Sequence, residues 1–395
     1  MKVLIVHSSA GLYGADRCLL SIAEGLVSRD DEAHVALPNE GDLVGELRRV
    51  GATVHILDTV VFRRDIFSAK GILRLLKAPA SIYRLARLMR REKYDLVHTN
   101  TGVTVGGAVA AKIVHIPHIW HFREILSEFG LFLRIHELAV SLLSDRIIFI
   151  TEAVREQFSR SRIRKMSKVI HDGIPTADFE STLAERENGR IVITTIGLLA
   201  PYKGQNVFLA ALASAIGQGV DLEAYIVGDV YGDRHHYRKS LESLAKELDL
   251  SDRVHFTGFQ EDVQPFLEKC NFFVIPSIRE EGLGIVILEA MAAGRAVIAS
   301  NGGGTREIID DGIDGILVPP ADSDRLAEAI CRLARNTEER RKLAARGKEK
   351  VKEKFSEEAM IASVIDFYHE VLAQYSRTSF KESSLTSKRT GQIDE

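Results

Sequence analysis

Short apolar runs, separated by longer stretches with helical spacing of apolar residues, organise most of this chain. Val3–Val6, His34–Leu37, Thr53–Leu57, Leu96–Thr99, Ile116–Trp120 and Arg146–Ile150 form the first series. Runs that are apolar on both faces predict strands of a mostly parallel sheet with helices over both sides. Residues 167–174, SKVIHDGI, add a short strand and turn that close the series. Residues 176–189 are polar and aperiodic and read as a linker. The pattern restarts at Arg190–Gly197 and continues through Ala224–Val227, Val254–Thr257, Phe272–Ile275 and Ala296–Ala299. Amphipathic helices follow from Ser323, the last over Phe355–Gln374, and the polar tail Ser376–Glu395 is expected to be disordered. The fold class is therefore α/β, with two Rossmann-like, doubly wound domains. Ligands of such sheets sit beyond the carboxyl ends of the strands.

Residues 271–309, NFFVIPSIREEGLGIVILEAMAAGRAVIASNGGGTREII, concentrate the candidate chemistry. A strand closed by Pro276 leads through Arg279-Glu280-Glu281 and Gly282-Leu283-Gly284 into a helix beginning near Ile285. A second strand leads through Asn301-Gly302-Gly303-Gly304 to another helix start. Two strand–glycine loop–helix units direct backbone N–H groups and helix dipoles toward one edge, where a phosphate would be favoured. Glu289 lies among Val286, Ile287, Leu288 and Met291, and a carboxylate is expensive to bury there without a partner. Lys203 precedes a helix N-terminus, where a cation opposes the macrodipole unless an anion sits between them. Gly11 and Gly14 punctuate the loop after the first strand, but they do not make GxGxxG, and a plain tight turn explains them equally well. His121 stands at the carboxyl end of a strand, as a site residue or as a satisfied structural histidine.

Composition and charge narrow the partners. The chain has 395 residues and a net charge of -3, which favours two domains and leaves nucleic acid without support. Residues 1–180 hold 25 Lys/Arg against 21 Asp/Glu, and the remainder 27 against 34. Phe62–Lys93 carries ten Lys/Arg and two acidic residues, with Pro79 expected to split it into two helices. It is either a solvated outer face or a surface for anionic lipid. Three scattered cysteines, Cys18, Cys270 and Cys331, offer no metal site and suit a reducing cytosol. The apolar start MKVLIV is broken by His7 and Ser8, so no signal peptide is expected, and no run is long enough to span a membrane.

The motifs, taken in order, resemble those of family 4 retaining glycosyltransferases of the GT-B class. Glu281-GLGIVIL-Glu289-AMAAGRAVIAS matches the family's paired glutamates and the strand that follows. Gly303-Gly304…Glu307, DGIDGILVPPAD, Lys203-Gly204, the VGD turn holding Gly228, and FTGF holding Phe259 match further pieces. The resemblance implies an N-terminal acceptor domain over 1–178 and a nucleotide-sugar domain over 188–354, facing across a cleft. It also implies that the helix at 355–375 crosses back to the first domain, ahead of the tail at 376–395. It implies transfer of a sugar from a nucleotide diphosphate sugar to a glycan or lipid-linked hydroxyl in cell-surface polysaccharide or glycolipid synthesis. The family works without a metal or other cofactor, in the cytoplasm or at the inner face of the membrane.

By the same resemblance, Glu281, His121 and Lys203 are the catalytic candidates. Glu281 faces the sugar, His121 lies near sugar and acceptor, and Lys203 serves the phosphates. Gly11, Gly14, Gly228, Phe259, Gly282, Leu283, Gly284, Ile285 and Glu289 would bind the nucleotide sugar, Glu289 through its ribose. Two departures stand out. Leu198 occupies the place of an arginine common in relatives, with Arg123 and Arg306 as candidate substitutes, and Asp172 replaces a common Asn. A sugar-nucleotide epimerase of the same fold and a non-catalytic nucleotide-sugar-binding partner are the competing expectations. A dinucleotide oxidoreductase lacks its fingerprint after Val6 or Ile196.

Overall fold

The computed structural model describes all residues except Tyr13, 62–68, 126–129, 180–188, 233–234 and 391–395; within 69–75, 130–132, 178 and 377–390 it describes only the backbone. The chain divides into two compact units, Met1–His171 with Met360–Glu395, and Asp172–Ala359. In the first, seven strands form one sheet: β1 (Lys2–Val6), β2 (Glu32–Leu37), β3 (Thr53–Ile56), β4 (Leu96–Thr99), β5 (His118–Phe122), β6 (Arg146–Phe149) and β7 (Ser167–Val169). In the second, six more form another: β8 (Ile191–Ile196), β9 (Leu222–Val227), β10 (Val254–Gly258), β11 (Phe272–Ile275), β12 (Ala296–Ser300) and β13 (Ile316–Val318).

The strand orders are β3-β2-β1-β4-β5-β6-β7 and β10-β9-β8-β11-β12-β13, with every strand pairing parallel. Each sheet reverses its winding once, between β1 and β4 and between β8 and β11, so each has one switch point at the carboxyl ends of these central strands. Val3–Val6 and Phe272–Val274 are fully buried, as the continuous apolar runs required.

Several local expectations are corrected. The strand expected over Ile116–Trp120 is β5, His118–Phe122. Ile116 instead donates to Ala111 O, closing the helix Gly106–Val114 behind left-handed His115 (φ 60). Pro117 has no N–H to offer a ladder, so the strand starts after it. His121 is thereby drawn inside the strand. Pro79 does not divide its segment: one helix runs Ala69–Glu92 through it. The interrupted turn costs about 3 kcal/mol. Burial of Leu85, Leu88 and Met89 on the same helix offsets that. Residues 62–68 of the basic segment lie outside the described residues. The last helix covers Glu357–Thr390, into the stretch expected to be disordered, because helical backbone bonds are local whatever the side chains.

The boundary between units falls at His171, before the expected linker, of which 180–188 lie outside the described residues. Ile174 N donates to Phe355 O and Glu357 N to Ile174 O, at 3.0 and 2.9 Å, which fastens the two ends of the second unit to each other. The short strand β13 was legible only as part of a motif.

Candidate active site

In the second unit the loops after β8, β11 and β12 converge at the switch point. The β8 loop ends in the single turn Pro201–Lys203, and Gly204 (φ 73) then caps the helix Gln205–Gly217. A Cβ on Gly204 would lie 1.9 Å from Pro276 O, so only glycine lets these two loops touch. Tyr202 O accepts from Ile278 N at 2.8 Å and Arg279 N at 3.3 Å, a second tie between the β8 and β11 loops. The β12 loop is joined by Gly304 N donating to Glu281 O at 2.9 Å.

This framework brings Lys203 and Glu281 together. Lys203 Nζ donates to both carboxylate oxygens, at 2.6 and 2.9 Å, and Ser277 Oγ donates to Oε1 at 2.5 Å. Both side chains are mostly covered, with 24% and 17% exposure, so water screens the pair only in part. Gly282, Leu283, Gly284 and Ile285 follow directly. Gly284 (φ 86) caps the helix Ile285–Ala292; Ile287 N turns back to Gly284 O at 2.8 Å, which leaves the N–H groups of Ile285 and Val286 to open the helix. Glu289, 8% exposed, lies one turn further along that helix.

Other expectations change. The helix after the β12 loop is only Thr305–Ile308, too short for a useful dipole, and its glycines serve instead to hold the backbone of Glu281. Gly228 N donates to Gly258 O, so this residue contributes clearance rather than an N–H for ligand: its Cβ would stand 2.0 Å from Gly197 O. Phe259, just beyond, is 66% exposed. Leu198 O accepts from Gln205 Nε2, and Arg306 is engaged with Asn301, through its side chain at 2.8 Å and its carbonyl at 3.2 Å. Sequence reasoning missed Arg279, whose guanidinium lies 5.7 Å from the Tyr202 ring, with Lys203 Nζ at 5.9 Å from the same ring. Its place two residues before Glu281 was the available signal.

In the first unit, Gly11 lies in the β1 loop and Gly14 opens the helix Gly14–Val27. A buried polar chain crosses the β1/β4 switch point. Arg123 Nη1 donates to Asn100 Oδ1 (2.5 Å), Asn100 Nδ2 to His7 Nδ1 (3.2 Å), and His7 Nε2 to Asp16 Oδ1 (2.6 Å). Arg123 is thus committed within its own unit and was not recognised as part of a network. His121 is fully buried with His98 and Tyr368. Burial, with Arg123 nearby, holds His98 and His121 well below the usual imidazole range, and burial pushes His118 down to about 3.

These shifts carry a sign. A histidine depressed in the folded state binds fewer protons than in the unfolded chain once pH falls below about 6.5. Stability is therefore full above that value and is lost as pH falls, at up to about 1.4 kcal/mol per pH unit for each such histidine. Melting temperature followed from pH 8 to 5 is expected to drop most below 6.5. A flat profile would show that these rings are hydrated.

Comparison with known proteins bears on the family and the fold. Residues 178–350 match the family model Glycosyl transferases group 1, and residues 13–178 match Glycosyltransferase Family 4. An uncharacterized glycosyltransferase of Methanocaldococcus jannaschii is 28% identical over 310 residues, covering 76% of this chain and 82% of that one. An Escherichia coli UDP-Gal:alpha-D-GlcNAc-diphosphoundecaprenol alpha-1,3-galactosyltransferase is 25% identical over 318 residues, covering 75% and 81%. Among solved structures, Anabaena HepE in complex with UDP and glucose superposes with a TM-score of 0.79 at 26% identity, covering 93% of this chain and 99% of that one.

Proposed function

Because the chain belongs to the group 1, family 4 glycosyltransferases, we propose that it moves a sugar from a nucleotide diphosphate donor to an acceptor hydroxyl with retention at the anomeric carbon. The Lys203–Glu281 pair at the β8/β11 switch point is the observation that carries this reading. Donor binding exchanges the pair: the diphosphate takes Lys203, and the released Glu281 carboxylate accepts from the sugar hydroxyls. The bond between the anomeric carbon and the phosphate oxygen breaks, and the acceptor oxygen bonds to that carbon from the same face. The acceptor proton passes to the departing phosphate. Charge developing on the diphosphate is met by Lys203, by Arg279 in place of the arginine missing at Leu198, and by the N–H groups opening Ile285–Ala292, without a metal ion. Glu289 takes the ribose hydroxyls. His121 serves the acceptor.

The HepE complexes make UDP-sugars the first donors to try. Incubation with UDP-hexoses and lipid-linked or free glycan acceptors, with the product's anomeric configuration read by NMR, tests the reading. A new glycoside of the donor's configuration is expected. Inversion overturns the retaining mechanism, and an epimerised nucleotide sugar or binding without turnover overturns transfer.

The E. coli relative's lipid-linked acceptor favours the same class here, and with it a docking face for anionic lipid at the cytoplasmic side of the membrane. On the helix Ala69–Glu92, Arg84, Arg87 and Arg90 are exposed beside Tyr83 and Leu76 (63% and 73% exposed). No helix among the described residues is long and apolar enough to cross a membrane. Each cation near such a surface contributes about 1 kcal/mol, so replacing Arg84, Arg87 and Arg90 by Gln is expected to weaken binding to anionic liposomes about a hundredfold. Unchanged binding in co-sedimentation removes the membrane role.

A further inference from the structure

His121 heads a hydrogen-bonded row that joins two strands to the C-terminal helix. His98 on β4 pairs in register with Ile119 on β5, so His121, two residues on, shares the face of His98. The two rings are near parallel, 19° apart, with centroids separated by 5.2 Å. His98 Nε2 and His121 Nδ1 are 3.2 Å apart, and His98 Nδ1 lies 2.5 Å from the hydroxyl of Tyr368, on the helix Glu357–Thr390. All three side chains are fully buried. His121 Nε2 is a buried nitrogen without a partner among the described residues.

With both imidazoles neutral, a single proton lies between His98 Nε2 and His121 Nδ1, and the row can run in only two directions. In one, His121 Nδ1–H donates to His98, His98 Nδ1–H donates to the phenol oxygen, and the phenol hydrogen is stranded in full burial. In the other, the phenol donates to His98 Nδ1, His98 Nε2–H donates to His121 Nδ1, and one N–H is left over, at His121 Nε2. The second strands fewer groups and uses the strong phenol donor. The leftover hydrogen sits at the end of a satisfied row, where a ligand oxygen would complete it.

We propose that Tyr368 and His98 are positioning residues that hold His121 as an Nε2–H donor, so that it binds a substrate hydroxyl oxygen and does not act as a base. This rests on the reading that His121 serves the acceptor. A nitrogen that already carries hydrogen cannot take the acceptor's proton, which leaves that proton to the departing phosphate. Nε2 is covered in the folded chain, and the hydroxyl oxygen would supply the hydrogen-bond partner it lacks there.

The full-length protein labelled with 15N-histidine, observed by long-range 1H–15N correlation at neutral pH, tests the row without turnover. The His98 and His121 signals are assigned by their loss in His98→Asn and His121→Asn. Both residues are expected to show a pyrrole-type Nε2 and a pyridine-type Nδ1. A pyridine-type Nε2 on His121 overturns the proposal.

Tyr368→Phe is expected to abolish the single tautomer of His121 and to raise the acceptor KM about tenfold, the loss of one oriented hydrogen bond, with the donor KM unchanged. A fixed His121 tautomer in that variant also overturns the relay. The two layers are separable. Full transfer by His121→Ala removes His121 from the acceptor site, whereas the nitrogen shifts of the wild-type protein judge the row independently of transfer.

Discussion

Glu281→Ala is expected to lower kcat about a thousandfold while the protein remains folded. The activity half follows from what the carboxylate does when the donor arrives. In the proposed mechanism its two oxygens, released from Lys203, orient the transferred sugar, and sugar placement decides whether the anomeric carbon meets the acceptor within reach of the phosphate. The stability half follows from how little of the fold depends on this side chain. Gly304 N bonds the backbone oxygen of Glu281, which alanine retains. Lys203, 24% exposed and close to the Tyr202 ring, can hydrate when its partner is removed, so the lost ion pair weakens the fold by about 1 kcal/mol or less. Glu281→Gln keeps the shape and an acceptor oxygen, and is expected to fall between wild type and alanine. Steady-state rates beside melting curves decide the matter. Wild-type turnover in Glu281→Ala sinks the assignment, and unfolding of that variant would show the side chain to be structural.

The legible parts of this protein were those written locally. Apolar runs such as Val3–Val6 and Phe272–Ile275 announce buried parallel strands because neither face needs a polar partner. Lys203 and Glu289 stood out because each placed a charge where its surroundings made it costly, and Glu281 because it pairs with Glu289 in the spacing of the family's motif. What could not be read depends on residues distant in the chain. His98 and Tyr368 are 270 residues apart, and no periodicity connects them. The Arg123–Asn100–His7–Asp16 chain draws on the ends of three strands and one helix, so each member looks ordinary alone. The two-residue displacement of β5 had a local cause, the left-handed His115 followed by Pro117, but a run of apolar residues masked it. Arg279 was visible as a loop arginine, and only tertiary folding sets it above the same ring as Lys203.

Gly204→Ala is expected to destabilise the second unit by about 3–5 kcal/mol and to abolish transfer with it. Two effects combine at this position. The residue has φ 73, where an L side chain adds roughly 1–2 kcal/mol of strain. The new Cβ would also lie 1.9 Å from Pro276 O, a backbone atom at the end of a fully buried strand that cannot swing aside as a side chain would. Relief requires the β8 and β11 loops to separate, and those loops hold Lys203 and Glu281 in contact. Gly219→Ala isolates the first effect, because Gly219 has φ 83 but nothing within 4 Å of its Cβ position. It should destabilise by about 1 kcal/mol, a shift of roughly 2–4 °C, and leave kcat unchanged. The difference between the two variants in urea midpoint therefore measures the collision. If they unfold alike, the close approach of Gly204 to Pro276 does not exist in solution, and the scaffold that brings Lys203 to Glu281 must be drawn differently.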